Sequence, residues 1–213
     1  MISRRVIALA AVTGVAFAGA PAFAAAKPAA KASCKQVTDD AGDPYVLRQT
    51  PDQKVAEDAL DILSADTATN GSSMTVVIRV KKLADPPTTS PSGATYQMTF
   101  NVGNEDALYY VAVSTGPSGL YSEFGTRESL PAVTSVATVL GTPTAKLDTA
   151  KNEIRATFPL SLFGSVKVIK GKTKIAPVET TAGRGAHGRG VFADDAVGGK
   201  NYVAGSLSCV KVG

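Results

Sequence analysis

The amino-acid sequence predicts an all-β protein, an antiparallel β-sandwich of about ten strands closed by one disulfide between its ends. Three observations carry that expectation. Apolar residues recur with a period of two in "MTVVIRV", "YQMTFNV" and "EIRATFPL", the alternation of a half-buried strand. Turn signals such as Asn70-Gly71 fall between those runs. No long amphipathic helix is available to cover a sheet face, so two sheets must cover each other, with a closed barrel as the alternative.

The elements follow in order from the N-terminus. Arg4 and Arg5 precede an apolar run from Val6 to about Ala20, and Ala22-Phe23-Ala24 closes it. That order of charge, apolar run and small residues is that of a cleaved export signal over residues 1–24, and the run is short for a membrane span. "SRRVI" partly matches a twin-arginine signal, but the alanines after Ile7 favour the general secretory route. Residues 25–33, "AAKPAAKAS", hold nothing large to bury and read as a flexible Ala/Lys/Pro tether. Residues 34–213 then form a single domain.

The two cysteines, Cys34 and Cys209, flank that domain. In an exported chain they most simply form one disulfide tying its first segment to its last. Between them, "LDILSADTAT", "MTVVIRV", "YQMTFNV", "ALYYVAV", "LYSEFGT", "SVATVLGTPTAKL", "EIRATFPL", "VKVIKGKTKIAPV" and "NYVAGSLSCV" read as strands. In them Met74, Val76, Ile78 and Val80, then Tyr96, Met98, Phe100 and Val102, then Ile154, Ala156, Phe158 and Leu160 point inward. Helix is confined to a short turn at "PLSLFGS" and another near "PDQKVAEDA". The proline-rich "LADPPTTSPSGA" and the glycine-rich "TTAGRGAHGRG" read as surface loops.

Charge and composition narrow the function. The formal net charge is +4, and with Arg4 and Arg5 lost in the leader +2 remains, too little for a dedicated nucleic-acid binder. No second apolar segment suits a transmembrane anchor. Lys170, Lys172 and Lys174 share parity in "VKVIKGKTK", a row that would meet an anionic polymer or, more simply, guard a strand edge; Lys167 lies beside them.

Catalytic constellations are weak. His187 is the sole histidine and sits in the glycine loop; Ser118 in "GPSGL" lacks the closing glycine of a nucleophile elbow. Glu123, Glu128, Asp148 and Glu153 show no spacing that selects an acid/base pair. With two cysteines paired, a zinc site lacks ligands. Tyr96, Tyr109, Tyr110, Tyr121 and Phe124 would supply stacking surface for a sugar, but core packing claims at least half, and there is no tryptophan. Asn70-Gly71-Ser72 is formally a glycosylation acceptor and reads better as a hairpin turn.

The best local lead is "DDAGD". Asp39, Asp40 and Asp43 converge if the backbone curls at Gly42, and Asp61 or Asp66 would arrive from the next strand, an oxygen set suited to calcium. The other reading is an Asp/Gly/Pro turn whose aspartates cap backbone N–H groups.

Taken together, "DDAGD", "ALDILSADTATNGSSMTVVIRVKKL", "LDTAKNEIRATFPLSLFG" and "NYVAGSLSC" resemble the secreted β-sandwich modules of the DOMON and family-nine carbohydrate-binding-module group. The resemblance implies a jelly-roll-like sandwich that binds ligands without catalysis, some relatives taking calcium, sugars or haem. It carries Asp39, Asp43 and Asp61 over as calcium ligands. Haem would need methionine or histidine axial ligands, and Met74 and Met98 read as core residues. The expected protein is therefore a secreted, extracellular, non-catalytic binding module whose partner is a glycan, cell-envelope polymer or protein. The alternative is a secreted hydrolase or a protease inhibitor presenting the proline-rich loop.

Overall fold

A computed structural model describes residues 32–43, 57–83, 93–116, 118–130, 133–185 and 191–213. Among them twelve strands form: β1 (Val37–Thr38), β2 (Ile62–Thr69), β3 (Ser73–Val80), β4 (Ala94–Val102), β5 (Leu108–Gly116), β6 (Gly119–Leu130), β7 (Val133–Gly141), β8 (Thr144–Asp148), β9 (Glu153–Pro159), β10 (Lys174–Arg184), β11 (Val191–Val197) and β12 (Tyr202–Val203). The first sheet runs β1-β2-β3-β9-β8 and the second β11-β10-β4-β5-β6-β7, with β12 against the start of β10. The strand pairs are antiparallel.

The alternation in the sequence sets which face each strand buries. Met74, Val76, Ile78 and Val80 of β3 and Ile154, Ala156 and Phe158 of β9 meet Tyr96, Met98, Phe100 and Val102 of β4 and Tyr109, Val111 and Val113 of β5 in one core. The layers are joined by aromatic packing: Phe158 of β9 stacks on Phe124 of β6 with centroids 4.5 Å apart. Phe163, in the short 3-10 turn Leu160–Phe163, meets Tyr109 edge-on at 5.0 Å. Full burial of one such ring stabilises by roughly 2 kcal/mol, so this cluster is a large share of the sandwich's cohesion.

Several boundaries differ from the sequence reading. "SVATVLGTPTAKL" is two strands, because the chain leaves the second sheet at Gly141 and joins the first at Thr144. The lysine row is not one strand. Thr173 N–H reaches back to the Ile169 carbonyl and Gly171 takes a φ of 74°, so the chain turns through Lys170 and Lys172 and β10 begins only at Lys174. Strand β11, "VFADDAV", is absent from the expected set. The Asn70-Gly71 hairpin forms as expected: Asn70 Oδ1 accepts the Ser72 and Ser73 N–H groups at 2.9 and 2.7 Å. "PDQKVAEDA" and "LADPPTTSPSGA" lie largely outside the described residues.

The expected Cys34–Cys209 disulfide is present. Beside it, Ser33 bridges Ser208, and the C-terminal tail continues over the outer face of the first sheet. There Val210 and Val212 pack on Ala68 and Val77. Arg155 donates to the Lys211 carbonyl at 3.3 Å. A staple between termini thus turns the tail into a third partial layer.

Candidate metal centre

The "DDAGD" turn follows β1. Thr38 pairs with Ser64, and Asp39 N–H donates to the Leu63 carbonyl at 3.3 Å, which sets the turn against the start of β2. Asp39 Oδ1 accepts the Asp40 N–H at 3.0 Å. Gly42, at φ 88°, then reverses the chain in the left-handed region that glycine tolerates best. Its N–H donates to Asp61 Oδ2 at 2.8 Å.

Asp39 and Asp43 are thereby brought together, and the third acid beside them is Asp194 of β11. One carboxylate oxygen from each of Asp39, Asp43 and Asp194 lies within 4.8 Å of the others. Asp61, the third ligand implied by the resemblance, instead braces the turn from beneath through Gly42 and is not one of that trio. Asp194 is buried and hydrogen-bonded, Oδ2 accepting Ile62 N–H at 2.6 Å and Oδ1 accepting Asp195 N–H at 3.1 Å. Those bonds tie the edge of the second sheet to the start of β2.

Two oxygens at this corner are buried and have no hydrogen-bond partner, Asp39 Oδ2 and Asp61 Oδ1. Among the described residues positive charge is sparse: Lys81 Nζ stands 3.6 Å from Asp61 Oδ2 but is held more closely by Asp58, at 2.9 Å. At an effective dielectric of about 20, two ionised carboxylates that close repel by roughly 3 kcal/mol. Asp39 is half-buried and Asp43 exposed, so water relieves part of that repulsion, and a proton or a cation near the buried Asp194 would relieve the rest. Burial, with the charges of Asp43, Asp195 and Asp40, outweighs the Asp40 N–H and raises Asp39 to about 6. Burial, with the charges of Asp39, Asp43 and Asp61, outweighs the Ile62 N–H and raises Asp194 to about 7.

The other candidate residues are dispersed. Asp66 is spent on Arg79, 2.6 Å away, and Glu153 on Arg79 and Arg155. Asp148 sits in an exposed turn bonded to Lys151. Glu123 accepts from the Tyr121 hydroxyl at 3.2 Å, while Glu128 is exposed on β6. Ser118 is exposed in the turn between β5 and β6, and His187 lies outside the described residues. Tyr96, Tyr109, Tyr110 and Phe124 are buried, leaving Tyr121 as the exposed ring of that group. Met74 and Met98 are fully buried in the core. No helix among the described residues is long and apolar enough to cross a membrane.

Sequence reasoning missed Asp194. The signal was available in "VFADDAV", where an aspartate takes the parity of Ala196, an inward position at which an acid needs a partner. No protein-family model, curated protein or solved structure matches the chain.

Proposed function

We propose that this chain is an exported, non-catalytic binding module whose β-sandwich is locked at one corner by calcium. The observation that carries the reading is the convergence of Asp39, Asp43 and Asp194 around a turn whose Asp39 and Asp61 each retain a buried oxygen without a partner. Hard oxygen donors in that number suit calcium better than a transition metal. Asp39, Asp43 and Asp194 would hold the ion, and Asp61 would hold the turn in the shape that presents them. Such an ion would join β1, β2 and β11, segments from both sheets, and so belongs to stability and loop geometry rather than to bond cleavage.

Export is supported by the leader-like order of residues 1–24 and by a disulfide between exposed cysteines. A carbohydrate or cell-envelope polymer is the proposed ligand class, in line with what the DOMON and family-nine resemblance implies. The test is thermal melting of the purified protein with millimolar-range calcium and with chelator, followed by glycan-array binding under both conditions. A calcium-dependent rise in Tm and binding to at least one glycan class are expected. Equal melting in both conditions removes the metal; a silent array removes the sugar.

The raised carboxyls of Asp39 and Asp194 also favour a second reading, an acid/base pair in a secreted hydrolase. It predicts hydrolysis of a glycan or peptide substrate that calcium inhibits, whereas the leading reading predicts that calcium supports function.

A further inference from the structure

Sheet edges are where one chain adds to another, and proteins usually guard them with charge, proline or brevity. Three of the four edges here are guarded. The first sheet ends in β1, two residues long, and in β8, which carries Lys146 and Asp148. The second sheet ends on one side in β11, which carries Asp194 and Asp195. Its other end is β7, which among the described residues is hydrogen-bonded to β6 on one side only.

Strand β7 has none of those protections. From Pro131 to Ala145 the sequence "PAVTSVATVLGTPTA" holds no charged residue. Its valines and threonines suit a pleated strand, and Val136, Val139 and Leu140 are 51, 53 and 41% exposed. The strand is also held in place. A Cβ at Gly125 of β6 would come 2.1 Å from the Thr138 carbonyl oxygen, so glycine there is what allows β7 to lie so close. Register shifts interrupt the β6–β7 pairing at both ends, leaving Val136–Val139 as an unbroken ladder against Glu128–Gly125.

We propose that β7 is a dimerisation edge, pairing antiparallel with β7 of a second copy about a two-fold axis that passes between the two copies of Thr138. An unpaired strand without charge matches this edge, and among the described edge strands longer than two residues β7 itself is the one that carries none. Self-pairing sets Thr138 opposite Thr138 and Ala137 of one copy opposite Val139 of the other with no like charges facing, and continues the second sheet across both molecules. The contact is small, so dissociation on the order of 10 μM is expected. This inference is independent of the aspartate corner.

Sedimentation equilibrium of the purified exported chain, over a concentration series to about 1 mM, tests it. A reversible monomer–dimer equilibrium is expected. Val136→Lys/Val139→Lys and Val136→Glu/Val139→Glu should each melt like the parent, since both positions are exposed, and each should be monomeric. An equimolar mixture of the two should restore a heterodimer. A parent chain that stays monomeric throughout, or a dimer that survives both charged variants, overturns the proposal.

Discussion

Two acid clusters flank β2, one buried and one running from buried Asp61 and Asp194 out to exposed Asp43, and they are solved differently. On the outer face of the first sheet Asp66 is buried, yet its Oδ1 accepts the Gln36 N–H at 2.9 Å and its Oδ2 meets Arg79 at 2.6 Å. Glu153 completes that network, with Arg79 at 2.9 Å and Arg155 at 3.3 Å. At the corner, Asp39, Asp43, Asp61 and Asp194 share little beyond the long reach of Lys81, and two of their oxygens are without partners. Among the described residues, the chain supplies its own cations to the first cluster and only Lys81 to the second. The contrast teaches that a buried acid group alone does not imply a metal. What supports the proposed one is the shortage of positive charge among the described residues, measured against a neighbouring cluster where the same fold provides it.

The comparison can be broken by removing what holds each cluster. Cys34→Ser/Cys209→Ser frees the tail over the paired cluster and the loop it closes. We expect a loss of about 4 kcal/mol in denaturant unfolding with the calcium response retained. Arg79→Ala strands Asp66 and Glu153 and should cost about 3 kcal/mol, equally in calcium and in chelator. Calcium at about 100 times its Kd should stabilise the parent by about 2.7 kcal/mol. Asp194→Asn should remove that gain; in chelator the loss of one repelling charge is offset by the backbone N–H, of Ile62 or Asp195, that the amide nitrogen does not accept, so the variant should melt close to the parent.

The smallest effect is the pH dependence. Asp39 and Asp194, at about 6 and about 7, lie above their unfolded values, so in chelator the native state holds more protons than the unfolded one. Their contribution to stability is full below about pH 4 and is lost as pH rises through about 7. The difference in Tm between parent and Asp194→Asn, followed in chelator from pH 5 to about 8, should therefore shift in favour of the variant as pH rises. Calcium competes with those protons, so its stabilisation of the parent should shrink toward about pH 5.

Much of the sandwich was legible because strand burial is a local pattern. Met74, Val76, Ile78 and Val80 announce an inward face within seven residues, and the fold keeps them there. The disulfide was legible from the position of two cysteines flanking the domain and from the leader-like order of residues 1–24. What failed was context. Nothing local distinguishes a lysine-rich strand from the turn around Gly171, nor tells that Gly141 to Thr144 crosses from one sheet to the other. Half the acidic corner was readable, since Asp39 and Asp43 flank a glycine that reverses the chain. Asp194 lies far along the sequence and arrives only because β11 ends the second sheet beside β2, a tertiary fact that short motifs do not encode.

Calorimetric titration of calcium into the chelator-treated parent at about pH 7.5, repeated with Asp194→Asn, most directly separates the two clusters. One ion bound per chain with proton release, lost in the variant, is the expected result. Absence of binding in the parent, or binding that the variant leaves unchanged, would contradict the assignment of the aspartate corner.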